Sequence, residues 1–108
     1  MVVYKLHSKY ENTQDECIQK WIDNLRDSRA RSRIQIRIKR LEEGNPGDHR
    51  FLGDISELKI DYGPGYRVYY KDTGKEIIIL LCGGDKQTQD ADITRAKQIA
   101  NLPLEEEE

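Results

Sequence analysis

The sequence predicts a single α+β domain: a mostly antiparallel sheet with a helical hairpin and a final helix, in the order β-α-α-β-β-β-α. Three observations lead there. Between Gln14 and Leu41 the apolar residues recur at helical spacing. From Glu57 to Lys71 apolar and polar residues alternate strictly, and Ile77 to Cys82 form a continuous apolar run. A length of 108 residues suits one domain; it is expected to occupy residues 1–102, with residues 103–108 as a disordered acidic tail.

Each element has its own signal. Val2 to Leu6 reads as a short opening strand. Thr13-x-x-Glu16 has the spacing of a capping box, in which each side chain satisfies a backbone donor left unpaired at a helix start. Behind it Cys17, Ile18, Trp21, Ile22 and Leu25 give an amphipathic helix from about Gln14 to Asp27. In a second helix Ala30, Ile34, Ile38 and Leu41 form the core stripe, and Gly44-Asn45-Pro46-Gly47 stops it with a left-handed cap and then a proline. His49 to Leu52 is a candidate edge strand.

Glu57 to Tyr62 and Tyr66 to Lys71 read as a hairpin closed by Gly63-Pro64-Gly65. That three-residue loop pairs Tyr62 with Tyr66, Ile60 with Val68 and Leu58 with Tyr70 on one face. On the other face it pairs Asp61 with Arg67, Lys59 with Tyr69 and Glu57 with Lys71. Lys59, Arg67 and Tyr69 then share the polar face, and a one-residue slip would destroy the sorting. After an Asp72-Thr73-Gly74 turn, the Ile77 to Cys82 run suits a strand covered on both sides, ended by Gly83-Gly84. A last helix is expected from about Asp90 to Asn101, with Ile93, Ala96, Ile99 and Ala100 inward. The helices are expected largely on one face of the sheet.

The chain is 36% hydrophobic and 35% charged, against typical values of about 45–50% and about 25%, so most of it is surface. The longest apolar run is six residues, far short of the roughly 20 that span a bilayer. The opening residues contain no apolar stretch of the signal-peptide type. A soluble, cytoplasmic protein without membrane association is expected. Cys17 and Cys82 belong to no C-x-x-C pair; two reduced, buried thiols are the favoured reading, with a helix-to-strand disulfide as the alternative. His7 and His49 have no Cys or His at ligand spacing, so no metal site is expected.

The net formal charge of −2 conceals an asymmetry. Four acids are the run Glu105-Glu106-Glu107-Glu108, and without them the rest carries +2. Between Arg26 and Arg40 stand seven basic residues and one acid, Asp27. Arg26, Arg29, Arg33, Arg37 and Arg40 recur at intervals of three and four, which aligns them in one row wherever the helix is continuous. Such a row is either a solvated, arginine-rich helix face or a dock for nucleic acid or an acidic partner. The acidic run is read as a solubilising end, or as a shield of that basic stretch in cis.

Gly83-Gly84-Asp85-Lys86 lacks the rest of a phosphate-loop motif, and no nucleophile elbow, carboxylate pair or Cys/His dyad stands out. What remains is the face carrying Lys59, Arg67 and Tyr69, with Lys86 just beyond the neighbouring strand. Two readings apply. Either Arg67 is salt-bridged to Asp61 and Lys59 is merely solvated, at nearly neutral energy, or these groups line a surface that binds a phosphodiester and stabilises charge developing on it.

The stretch Glu57-Leu58-Lys59-Ile60-Asp61-Tyr62-Gly63-Pro64-Gly65-Tyr66-Arg67-Val68-Tyr69-Tyr70, then Leu80-Leu81-Cys82-Gly83-Gly84-Asp85-Lys86-Gln87-Thr88-Gln89-Asp90-Ala91-Asp92-Ile93 and Ala96, closely resembles the RelE/ParE toxin superfamily. Within it the HigB-like "addiction module killer protein" branch matches best, from the Trp21 helix to Leu102. The resemblance implies the RelE-like order β-α-α-β-β-β-α and the toxin half of a type II toxin–antitoxin module, many of which are ribosome-dependent endoribonucleases that cleave mRNA without a metal or other cofactor. Arg67 would hold the scissile phosphate. Lys59 would neutralise the transition state or activate the attacking 2′-hydroxyl, and Lys86 would contact the RNA backbone. The row Arg29, Arg33, Arg37 and Arg40 would contact ribosomal RNA or be covered by a cognate antitoxin of helix-turn-helix type. Many members carry a proton-transferring histidine or tyrosine at or after the last helix. Asn101-Leu102-Pro103-Leu104 stands there instead, leaving Tyr69 as the substitute. ParE-type relatives inhibit DNA gyrase without cutting RNA, which defines the alternative: a non-nuclease toxin acting by protein binding.

Overall fold

The structure, a computed structural model, describes residues 5–6, 14–74 and 77–101. Its elements are β1 (Lys5–Leu6), α1 (Gln14–Asp23), α2 (Ser28–Glu42), β2 (His49–Phe51), β3 (Ser56–Ile60), β4 (Tyr66–Asp72), β5 (Ile77–Gly84) and α3 (Gln89–Ala100). The candidate edge strand is therefore a full member of the order, which becomes β-α-α-β-β-β-β-α. The sheet runs β1-β5-β4-β3-β2. Strands β2 to β5 are antiparallel neighbours, and β1 lies parallel to β5. The chain is an α+β domain. No helix among the described residues is long and apolar enough to cross a membrane. The rest of the opening strand, Thr13 of the capping box, and the acidic tail lie outside the described residues.

The first helix ends at Asp23 rather than Asp27 because Asp27 begins the next one. Its Oδ1 accepts hydrogen bonds from the backbone N–H of Arg29 (2.9 Å) and Ala30 (3.3 Å), satisfying two donors that α2 would otherwise leave unpaired. At the other end Gly44 takes φ 87°. Its N–H bonds to Leu41 O, and that of Asn45 bonds to Arg40 O (2.8 Å), the double closure of a Schellman motif. Between these caps Ala30, Ile34, Ile38 and Leu41 are buried as their spacing predicts.

Two apolar layers sandwich the sheet. Ile18 and Ile22 of α1 and the α2 stripe pack on Leu58, Ile60, Val68, Tyr70, Ile78 and Leu80. Ala96 and Ala100 of α3 pack on Ile55, Tyr69, Ile79, Leu81 and Cys82 on the opposite side. The expectation that helices gather on one face is thus corrected. The doubly apolar β5 needs cover on both sides, and α3 supplies the second. The Cys82 thiol is buried within this second layer; the side chain of Cys17 lies outside the described residues.

The pairing of β4 with β5 shifts between Tyr69 and Tyr70, where Leu81 is the extra residue on β5. The shift sets the phase of Gly83 and Gly84, which are part of the strand rather than its end. A Cβ on Gly83 would overlap the Trp21 ring of α1, and one on Gly84 would overlap Asp92 and Thr88 at the start of α3. The absence of side chains lets helices close on both faces of the strand's last two residues.

Candidate phosphate-binding cleft

The hairpin pairs two residues out of the expected register. Lys59 lies opposite Arg67, Glu57 opposite Tyr69, Leu58 opposite Val68, Ile60 opposite Tyr66 and Ser56 opposite Tyr70. The loop is therefore Asp61 to Gly65. Tyr62 leaves the ladder because its hydroxyl donates to Asp27 Oδ2 (2.8 Å) and its ring lies 4.6 Å from the Arg33 guanidinium carbon, a cation–π contact. That hydrogen bond is the first cause holding the Asp27 carboxyl below its usual range. The first strand gives up two positions, Asp61 and Tyr62, and the second none, so the register shifts by two and every side chain keeps its face.

Lys59 and Arg67 thus stand side by side on the face opposite α1 and α2. A cleft of about 340 Å³ opens there, and Arg50 from β2 and Lys86 from the β5–α3 turn join them in its wall. Glu57, Gln89, Asp48 and His49 complete the lining. Four cations from four parts of the chain share the cleft with two carboxylates, Asp48 and Glu57. A larger cleft of about 390 Å³, lined by Leu41, Pro46, Phe51, Ile55, Tyr70 and the acids Asp54 and Asp72 among others, contains neither lysine nor arginine.

Glu57 organises the floor. Its side chain is 2% exposed. Oε1 accepts from Arg50 Nε at 2.8 Å, and Oε2 accepts from Gln89 Nε2 at 2.9 Å. Arg67 Nε lies 3.5 Å from Oε2. Burial pushes the Glu57 carboxyl up, but hydrogen bonding with Arg50, Gln89 and Tyr69 and the charge of Arg50 outweigh it and hold the group below the usual carboxylate range. The Arg67 side chain is itself only 5% exposed. Its Nη1 donates to Gly65 O (2.6 Å), while its Nε has no hydrogen-bond partner among the described residues.

Lys59 and Lys86 differ from Arg67. Both are exposed, and no ion pair or side-chain hydrogen bond engages either ammonium among the described residues. They and the solvent-facing part of Arg50, whose side chain is 56% exposed, are the groups an incoming anion meets first.

Two sequence expectations are corrected here, and the place of the arginine row becomes visible. Arg67 is paired with Glu57 and not with Asp61, which lies in the hairpin loop. Tyr69 does not face solvent beside Lys59: it is fully buried beneath α3, with its hydroxyl near the carboxylate of its cross-strand neighbour Glu57. Burial, reinforced by the charge of Glu57, pushes its ionisation well above the tyrosine range. The arginine row does not join the cleft as a unit, since α2 packs on the other face. Arg29, Arg33 and Arg40 are exposed; Arg33 and Arg40 flank the exposed Ile36 in a separate cleft of about 260 Å³. Arg37 is half-buried at the sheet edge, donating to Lys59 O (2.6 Å), Pro46 O (2.9 Å) and Asp48 O (2.9 Å).

Sequence reasoning missed Arg50, Glu57 and Gln89. Glu57 carried a signal, since it stands two residues from Lys59 on the same strand face. Arg50 needed β2 to be recognised as a strand. Among the described residues no three His, Cys, Asp or Glu side chains converge as metal ligands would.

A protein of Haemophilus influenzae (strain ATCC 51907 / DSM 11121 / KW20 / Rd), described as an uncharacterized protein, is 53% identical over 81 residues, 74% of this chain and 82% of the relative. The chain belongs to that protein's family. No family model and no solved structure matches it.

Proposed function

We propose that this family member is a RelE-like toxin of a type II toxin–antitoxin module, and that its cationic cleft is the active site of a metal-independent, ribosome-dependent endoribonuclease. The observation that carries the reading is the cross-strand pair Lys59–Arg67, flanked by Lys86 and Arg50 around one cleft. The resemblance of the hairpin and the Leu80–Ile93 stretch to that superfamily supports the same assignment, in the cytoplasm and with a helix-turn-helix antitoxin as partner.

In this reading the scissile phosphate sits over Lys59, with Lys86 and Arg50 on the flanking backbone. The ribose 2′-hydroxyl loses its proton to water and attacks the adjacent phosphorus, closing a 2′,3′-cyclic phosphate; the 5′-oxygen departs and takes a proton from water, so the RNA supplies its own nucleophile. Negative charge builds on the non-bridging oxygens; the Arg50 and Arg67 guanidinium groups, held by Glu57, and the exposed Lys59 and Lys86 ammonium groups stabilise it. Glu57 fixes Arg50 and Arg67 in place. Tyr69, under α3, supplies packing rather than a proton.

The burial of Arg67 and its pairing with Glu57 favour a second reading, in which the cations order the sheet and the toxin acts by binding a protein such as gyrase. Mapping transcript ends after induction separates the two. Breaks phased with the ribosomal reading frame support cleavage; intact transcripts accompanied by DNA damage support the second reading.

A further inference from the structure

The larger cleft, at the end of α2, has the opposite charge character to the proposed active site. We infer that it binds an arginine side chain presented by an extended peptide of a partner protein, with the peptide backbone along the open edge of β2. The inference rests on this cleft and edge alone and is independent of the proposed function.

Phe51, Ser56 and Tyr70 pair across β2, β3 and β4 and so share the sheet face that carries α2. Leu41 and Gly44 bring the C-terminal end of that helix, its negative pole, to the wall of the cleft. Asp54 and Asp72 also line it, and neither forms an ion pair among the described residues. Each uses one oxygen within the chain: Asp54 Oδ2 accepts from Asn101 Nδ2 (3.2 Å), and Asp72 Oδ1 from the Gly74 N–H (2.9 Å). His49, the other titratable group of the wall, donates from Nδ1 to Gly47 O (2.7 Å), which leaves the neutral ring an acceptor at Nε2. Ser56 points to a ligand. It lines the cleft, is only 8% exposed, and its hydroxyl has no hydrogen-bond partner among the described residues. A buried hydroxyl left unpaired costs free energy that a donor entering the cleft recovers.

Arginine fits this wall better than lysine does. Its planar guanidinium shares five donors among two carboxylates and a hydroxyl, is weakly hydrated, and stacks on aromatic rings such as Phe51 and Tyr70. Leu41, Pro46 and Ile55 offer an apolar surface to its aliphatic stem. The edge supplies the rest of the peptide's contacts. Strand β2 is outermost in the sheet. The bonds from Lys59 N–H to Asp48 O (3.0 Å) and from Leu52 N–H to Ile55 O (2.8 Å) set the phase of its ladder. The backbone groups of His49 and Phe51 therefore point away from β3, and the Phe51 side chain stands 73% exposed beside them. An added strand pairs with those groups while the side chain next to Phe51 enters the cleft.

The test is an amide NMR titration of the full chain with a short blocked peptide carrying one arginine between valines. A matched peptide carries citrulline, the uncharged isostere, in its place. The arginine peptide is expected to bind about tenfold more tightly and to shift the amides of His49, Phe51 and Ser56. The D54N/D72N variant removes charge but keeps oxygen acceptors, and should abolish that preference. D23N/D61N loses the same charge elsewhere on the surface and should retain it. Equal binding of the two peptides, or a preference that survives in D54N/D72N, would overturn the inference. Arginine amide alone binding as tightly as the peptide would reject the extended partner, since the edge of β2 would then contribute nothing.

Discussion

Glu57 and Arg67 stand 3.5 Å apart, carboxylate to guanidinium, with side chains only 2% and 5% exposed. Glu57 also accepts from Arg50 on the neighbouring edge strand, so one buried carboxylate fixes two of the cleft's four cations. Removing it leaves the largely buried Arg67 charged and without its carboxylate. Glu57→Ala is therefore expected to lower stability by about 3 kcal/mol, read by urea unfolding. Arg50→Ala, which removes a half-exposed partner, should cost about 1 kcal/mol or less. Equal losses in the two variants would contradict this division.

The same carboxylate sets an acid limit. Its pKa in the folded protein lies below the unfolded value of about 4.3, so its contribution is complete above that value and is lost as pH falls through the lower, folded one. The denaturation midpoint should drop on acidification below about pH 4.5, and Glu57→Gln should flatten that drop. An unchanged acid profile in the glutamine variant would show that Glu57 is not the group responsible.

Tyr69 is predicted to act through the fold and not through proton transfer. Its hydroxyl is buried beside the Glu57 carboxylate, so Tyr69→Phe should cost about 1 kcal/mol or less and, under the proposed function, should leave activity intact. Because its folded pKa is raised, the wild type should lose stability as pH rises above about 10, and the phenylalanine variant should lose less. A large fall in toxicity with the fold preserved would restore Tyr69 as a proton donor.

The close approach of α1 to β5 makes a packing prediction. Gly83→Ala forces a methyl group into the Trp21 ring and should cost about 3 kcal/mol. Combining it with Trp21→Leu should recover part of that loss. Strictly additive losses would show that the two residues do not share the space.

Much of this architecture was legible in the residues. The helical stripe Ala30-Ile34-Ile38-Leu41 and the cap at Gly44 follow from local chemistry and stand as read. The hairpin register did not, because Tyr62 looks like a strand residue until Asp27 and Arg33, distant in sequence, capture it. The face assignment survived because a shift of two preserves a period of two. Lys59, Arg67 and Lys86 do meet, as their pattern suggested. The burial of Tyr69 and the tie made by Arg37 were hidden, since both depend on where α3 and α2 land on the sheet, and no short-range pattern encodes that.

The cleanest probe of the cleft is Lys59 rather than Arg67. Arg67→Ala strands Glu57, whereas Lys59 is exposed and its ammonium engages no partner among the described residues, so Lys59→Ala removes charge without disturbing the core. The decisive measurement is the rate of ribosome-dependent mRNA cleavage by Lys59→Ala, with thermal unfolding as the check on folding. The cleft account predicts an unchanged unfolding midpoint and a cleavage rate lower by roughly 100-fold or more. A fully folded Lys59→Ala protein that cuts messenger RNA at the wild-type rate would contradict it.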